Sequence, residues 1–400
     1  MQTRFHLRYA PQDEFYHSTV MLSITNQLPQ ADNRSGAGLM DTMKWYERQL
    51  RVPGIDRTFM QKLSSMCIEP AGGDIEELTA DLLIRTGVHR LSRQSRPAFV
   101  HSMIESNPFL EISDGPGILI NRSSIEDIAR VTVKGNSIHL LIPHDAIVDD
   151  APVLAALTLN AIKTDEEQEI NLGTTRLLES SFSFDSGPRL MVIGAGGLGC
   201  PALTSIVSAS SSKIVVVDHD TVSVTDLHRQ TLYRPGDIGK KKADVAKTRL
   251  EESYPDAQVE SFASLFNESL IDAFRPDILL FAVDSMATRR AINAICLDRG
   301  LSFVDAAVNN MYGYGLVHVA GTACYECVLG KSGTHSESKK GILALTSYYG
   351  GLLMARLTSA LFNKDPYVKN RLFAFNLADF SFDTFEVERY ENCGACGRLQ

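Results

Sequence analysis

The chain has 400 residues, of which 44% are hydrophobic and 22% charged, and a formal net charge of −9. That length sets two or three domains, and the composition is that of a globular protein able to bury a core. The acidic balance, with no basic block beyond Lys240-Lys-Lys242, argues against a nucleic-acid partner. No window has the length of a membrane span, and Met1-Gln-Thr-Arg-Phe-His6 lacks the apolar stretch of a secretory signal, so a cytoplasmic chain without a membrane partner is expected. In chain order, residues 1 to about 180 read as one region. Asp74-Ile-Glu-Glu-Leu-Thr-Ala-Asp-Leu-Leu-Ile-Arg85 has the apolar spacing of a helix. Arg130-Val-Thr-Val133 and Ser137-Ile-His-Leu-Leu-Ile-Pro143 read as strands joined by a Lys-Gly-Asn turn. A small α+β unit is predicted there, with no catalytic constellation.

From about Gly187 the pattern alternates. Strands are predicted at Leu190–Ile193, Ile214–Val217, Gln258–Ser261, Ile278–Ala282 and Ser302–Asp305, with helices between them. Such alternation implies a mainly parallel sheet covered on both faces. Gly315–Ala320 opens an antiparallel part, residues 331–342 read as a mobile loop, and no internal repeat is legible.

The most informative stretch is Met191-Val-Ile-Gly-Ala-Gly-Gly-Leu-Gly199, followed by Lys213-Ile-Val-Val-Val-Asp218. A strand, a glycine turn and a helix N-terminus form an anion cradle. Gly194 permits the turn, Gly196 and Gly197 let backbone approach phosphate, and Gly199 lets the helix pack close to the sheet. Asp218 follows at about the spacing of a ribose-hydroxyl acceptor, ~20 residues on. Four of the seven cysteines form two Cys-x-x-Cys pairs, Cys324/Cys327 and Cys393/Cys396. Four thiolates suit a closed tetrahedral structural zinc site. Cys200 and Cys296 read as small buried residues.

After Asp218 come Asp220, Leu227-His-Arg-Gln230, Gly239-Lys-Lys-Lys-Ala243 and Asp284-Ser-Met-Ala-Thr-Arg289. Taken together, this order resembles the ubiquitin-activating (E1-like) family, which includes the activators of the thiamin and molybdopterin sulfur carriers. The resemblance runs from about residue 175 to the C-terminus. It implies a Rossmann-like adenylation domain over residues 181–400, ATP and Mg²⁺ as cofactors, and a homodimer. Arg229 and Gln230 match the pair that contacts ATP phosphate and adenosine, and Lys242 matches the lysine that reaches a phosphate. Asp284 matches the magnesium ligand; a plain helix N-cap is its other reading. Arg176 resembles the arginine that crosses the dimer interface to the partner's ATP. Catalytic roles are thus expected for Arg229, Lys242, Asp284 and Arg176, with Lys240 and Lys241 merely solvated. Charge-stabilising groups of this kind are what a carboxylate attacking the α-phosphate of ATP requires.

The chain departs from that family at three positions. Asp226 and His228 stand where asparagines are usual, and Ser285 replaces an asparagine after Asp284. No thioester cysteine is evident. The long N-terminal region together with that absence resembles the subgroup that modifies ribosomally made peptides, as in microcin C maturation. The resemblance implies that residues 1–180 are a winged-helix-like recognition domain for the leader of a precursor peptide. The expected activity is activation of a peptide carboxylate followed by intramolecular condensation. Other readings stay open: a sulfur-carrier or ubiquitin-like adenylyltransferase, an NAD-dependent oxidoreductase using the same glycine loop, and a non-enzymatic peptide-binding scaffold.

Overall fold

The computed structural model describes residues 45–397, apart from 114–116, 123–127, 135–136, 144, 176, 179–181, 185–186 and 330–340. Strands β1 (Cys67–Pro70), β2 (Arg90–Ser92), β3 (Glu111–Ser113), β4 (Gly117–Arg122), β5 (Ile128–Lys134), β6 (Ser137–Ile142) and β7 (Gln168–Asn171) form one sheet in the order β3-β2-β1-β4-β6-β5-β7. Four helices belong to it: α1 (Arg57–Ser65), α2 (Asp74–Thr86), α3 (Pro97–Ser106) and α4 (Ala151–Thr164). Helix α2 starts on an acidic turn and stops at Gly87, where φ is 136° and the N–H closes on Leu83 and Ile84 carbonyls. It is buried all round, so Thr79 and Thr86 satisfy their hydroxyls on the carbonyls of Ile75 and Leu82.

The predicted helix and the β5–β6 hairpin stand where the sequence placed them. The sheet around them is larger than a small winged-helix unit and mostly parallel. Its β1, β2 and β3 run for only four, three and three residues, too short to leave a periodic signature.

The second sheet has the order β10-β9-β8-β11-β12-β13-β14-β15. Its strands are β8 (Arg189–Ile193), β9 (Lys213–Val217), β10 (Gln258–Phe262), β11 (Ile278–Phe281), β12 (Ser302–Asn309), β13 (Tyr312–His318), β14 (Arg371–Asn376) and β15 (Ser381–Glu386). All five strands predicted after Gly187 are present, and the antiparallel part begins at β13. Helices α5 (Gly199–Ala209), α6 (Lys242–Ser253), α7 (Glu268–Phe274) and α8 (Met286–Arg299) make the crossovers; α9 (Tyr325–Leu329) and α10 (Ala344–Phe362) follow. The parallel strands are apolar on both faces, and all four residues of β11 are buried. Residues 331–340 of the expected loop lie outside the described residues.

The two sheets agree place by place. In each, the first five strands in spatial order are parallel, and the sixth and seventh are antiparallel to their predecessors. The N-terminal sheet fills its fifth and sixth places in reverse chain order. An internal duplication of architecture is therefore present where the sequence shows no repeat. Helix α10 joins the halves, packing on α5, β12 and β13 on one side and on α2 and α4 on the other. One continuous apolar core runs through both sheets, from Ile75 and Leu82 to Leu353 and Leu357. No helix among the described residues is long and apolar enough to cross a membrane.

Candidate functional site

The site begins where β8 ends. Gly194 has φ +101°, and a Cβ on it would lie 2.5 Å from the Ala282 carbonyl oxygen. A Cβ on Gly199 would lie 2.2 Å from the Gly194 carbonyl oxygen, so only glycine lets α5 start directly on the turn. No side chain caps α5, which leaves its N-terminus facing the loop as an anion site. Asp218, at the end of β9, accepts from the Ala195 N–H through Oδ2 and from the Asp220 N–H through Oδ1, each at 2.8 Å. Tyr233 donates to the Ala195 carbonyl at 2.7 Å. The loop is thus held open from outside. Against it lie the Gln230 amide, 3.8 Å from a Cβ on Gly196, and the Ser347 hydroxyl, 3.0 Å from a Cβ on Gly197. Gln230 Oε1 and Ser347 Oγ are buried without a hydrogen-bond partner among the described residues. Buried polar atoms of this kind are the partners a polar ligand in the cradle takes up.

The 223–242 segment supplies the charges. Ser223 and Asp226 close a capping box on a short 3-10 turn. Asp226 accepts from the Gln230 amide at 2.8 Å and lies 3.4 Å from an Arg229 nitrogen. Lys242 is the first residue of α6, and its ammonium stands 3.2 Å from Asp220 and 3.4 Å from Asp226. Burial works against that charge, but Asp226, Asp218 and Asp220 outweigh it and raise the ammonium above its usual value. Burial, and next the neighbouring Arg48, lowers the Arg229 guanidinium to about 10. These pairings account for the Asp226 departure: an acid there holds Arg229, Gln230 and Lys242 in one cluster. His228 is fully buried. Burial, then Arg229, Arg48 and Arg85, pushes it well below the usual histidine range, so the ring is neutral.

Asp284 follows β11 and is exposed. The N-cap of α8 is Ser285, whose hydroxyl accepts from the Thr288 N–H at 3.3 Å. The capping task that Asp284 was given as an alternative therefore falls to its neighbour. Arg289 pins this turn: it donates to the Val283 and Ala306 carbonyls and pairs with the wholly buried Asp305, which also accepts from Tyr314 at 2.9 Å. Replacing Arg289 with methionine leaves a buried carboxylate without its cation. Urea unfolding should show a loss of about 3–5 kcal/mol; an unchanged midpoint would mean the pair carries no weight.

The four paired cysteines come together. Sγ–Sγ distances are 3.8 Å for Cys324–Cys327, 3.7 Å for Cys324–Cys393 and 3.4 Å for Cys327–Cys396. A tetrahedral zinc with bonds of about 2.3 Å has edges near 3.8 Å, so the cluster fits that metal. The Tyr390 N–H points to Cys327 Sγ at 3.4 Å, a supporting contact usual for thiolate ligands. Cys200 and Cys296 are buried, and burial pushes each thiol up to about 12.

Lys240 pairs with Asp237, and Lys241 donates to the His219 carbonyl. Arg176 lies outside the described residues. The sequence reading missed Arg48. Its carbonyl accepts from the Ile342 N–H at 3.1 Å, just ahead of α10, and Asp284 and Asp226 both act on its charge. Nothing in the local sequence links residue 48 to a pocket built after residue 190.

A glycine loop at the carboxyl end of a parallel strand, with a cationic cluster beside it, defines a nucleotide-binding α/β protein. The ThiF family model matches residues 186–395, and the chain belongs to that family of adenylyltransferases. The sulfur carrier protein adenylyltransferase of Thermus thermophilus is 30% identical over 221 residues, covering 52% of this chain and 82% of that one. The molybdopterin-synthase adenylyltransferase of Escherichia coli is 25% identical over 244 residues, covering 58% and 98%. Among solved structures, the microcin C7 biosynthetic enzyme MccB in complex with N-formylated MccA aligns at 17% identity and a TM-score of 0.48, over 62% of this chain and 75% of that one.

Proposed function

We propose that the chain uses MgATP to activate a carboxylate of a ribosomally made precursor peptide, which a nearby nitrogen of the same peptide then captures with ring closure. The observation that carries the activation step is the uncapped start of α5, with the buried Gln230 and Ser347 against its glycine loop and Arg229 and Lys242 gathered on Asp226. In this reading the glycine loop and Gln230 hold the nucleotide. Lys242 and Arg229 balance charge that builds up as the carboxylate meets the α-phosphate. Exposed Asp284 would hold magnesium, which neutralises phosphate charge when bound. The neutral His228 adds no competing charge.

Support for a peptide comes from the described residues 45–185, which fall outside the family match yet share the core of the matched part. That sheet ends in β3 and β7, whose outer edges pair with no strand among the described residues and suit an extended leader by strand addition. The carboxylate in this reading is a glutamate side chain, one of an adjacent pair in the precursor. The curated relatives favour a second reading, adenylation of a sulfur-carrier protein.

ATP–pyrophosphate exchange separates the two. The chain is incubated with MgATP and either a leader-bearing peptide with adjacent glutamates or a Gly-Gly-ended carrier protein. Exchange driven by the peptide, with loss of water mass from it, is expected. Exchange driven by the carrier alone transfers the assignment to the second reading, and exchange with neither removes both.

A further inference from the structure

Gly197 makes room for a second helix. A Cβ on it would lie 3.0 Å from Ser347 Oγ, 3.2 Å from Ser347 Cβ and 3.5 Å from Arg229 Cγ, whereas a Cβ on Gly196 would meet nothing nearer than Gln230 at 3.8 Å. The close neighbour of Gly197 is thus the first turn of α10. One turn further on, the same approach is secured by two more glycines. A Cβ on Gly350 would lie 2.7 Å from Leu198 Cδ2, and one on Gly351 would lie 2.5 Å from the Leu198 carbonyl oxygen and 2.4 Å from Pro201 Cγ. Residues 347, 350 and 351 share one helix face, and Leu198 is the N-cap of α5. Two helix starts therefore meet at one glycine loop.

The start of α10 has donors and no acceptor. Its N-cap, Leu343, offers no side-chain bond. The N–H groups of Ala344, Leu345 and Thr346 find no backbone acceptor among the described residues, although residues 343–347 are at most 1% exposed. Ser347 Oγ, aimed at Gly197, is likewise without a partner among the described residues. A buried helix end left in this way is costly. Its unpaired N–H groups and positive dipole end suit an anion, and the serine hydroxyl adds one more donor.

Strand order says which anion. The sheet runs β9-β8-β11-β12-β13. Asp218, on the ribose side, follows β9, and α5 follows β8. Helix α10 packs on β12 and β13, on the far side of β8 from the ribose. A second anion held there lies beside the phosphates and away from the nucleoside. A carboxylate and a phosphate brought together out of water repel strongly, and a positive helix end for each offsets that repulsion.

We propose that the start of α10, with the Ser347 hydroxyl as donor, is the subsite for the substrate carboxylate, next to the nucleotide at the start of α5; this rests on the activation proposed above and adds the group that receives the acid.

Ser347→Ala in the full chain tests it. The hydroxyl is unpaired in the free protein, so the melting temperature should hold or rise when it is removed. ATP–pyrophosphate exchange is run with whichever partner drives it, the glutamate peptide or the Gly-Gly-ended carrier. KM for that partner should rise about ten- to a hundredfold, the range for one hydrogen bond to a charged group. MgATP affinity, read by calorimetry, should stay at the wild-type value. Weakened MgATP binding gives Ser347 to the nucleotide, an unchanged partner KM leaves it without a role, and a lowered melting temperature makes it a packing group. Each of these overturns the subsite while the activation reading stands. A wild type that exchanges with neither partner removes the reading and the subsite together.

Discussion

Lys242→Met is expected to lower ATP–pyrophosphate exchange by roughly 10²–10³-fold, the usual cost of removing one placed electrostatic group from an active site. The ammonium is almost wholly shielded from water and faces Asp220 and Asp226 at 3.2 and 3.4 Å. Those acids hold it charged at neutral pH, ready to meet a phosphate. Its loss also leaves Asp226 short of a cation, so stability should fall by about 1–3 kcal/mol. The double change Lys242→Met with Asp226→Asn separates the effects. It removes both charges, and the carboxamide oxygen then present at position 226 still accepts from Gln230. Urea unfolding should then return towards wild type while exchange stays lost. Recovery of exchange in the double variant would show that Lys242 serves only to neutralise Asp226.

The second large effect is expected at the cysteine cluster. Cys393→Ser with Cys396→Ser removes two of four ligands, and the purified chain should carry no zinc by metal analysis. Zinc contributes about 10–16 kcal/mol to finger peptides that have no core of their own. Here the sheet has a core, so a loss on the order of 5 kcal/mol is expected, read by thermal unfolding. The 387–397 segment, joined to the sheet through Cys324 and Cys327, should become protease-sensitive. A chain that retains its melting temperature without metal would make the cluster incidental.

The C-terminal half was legible because its physics is local. Buried parallel strands read as apolar runs, the glycines that close contacts demand appear as a loop, and Asp218 and Asp284 follow strand ends. The roles carried by contact were not legible. Ser285 and Asp284 look alike as helix caps until the turn is seen. Asp226 reads as a mere departure until its partners Ser223, Arg229, Gln230 and Lys242 are on the page. The N-terminal sheet escaped notice because β2 and β3 are three residues long. Its likeness to the second sheet is hidden because Pro70 and Ile75 stand where that sheet has Gly194 and Gly199. Arg48 reaches the pocket only through long-range packing, which no window of sequence contains.

The cysteine cluster also sets a schedule for the nascent chain. Cys324 and its eventual partner Cys393 are 69 residues apart. At about 5–20 residues per second of synthesis, the first pair emerges roughly 3–14 s before the second. During that interval two neighbouring thiols are open to oxidation or to capture of a competing soft metal. For a chain that takes up zinc at these four thiols, the spacing of the ligands favours synthesis where thiols stay reduced and the metal is at hand.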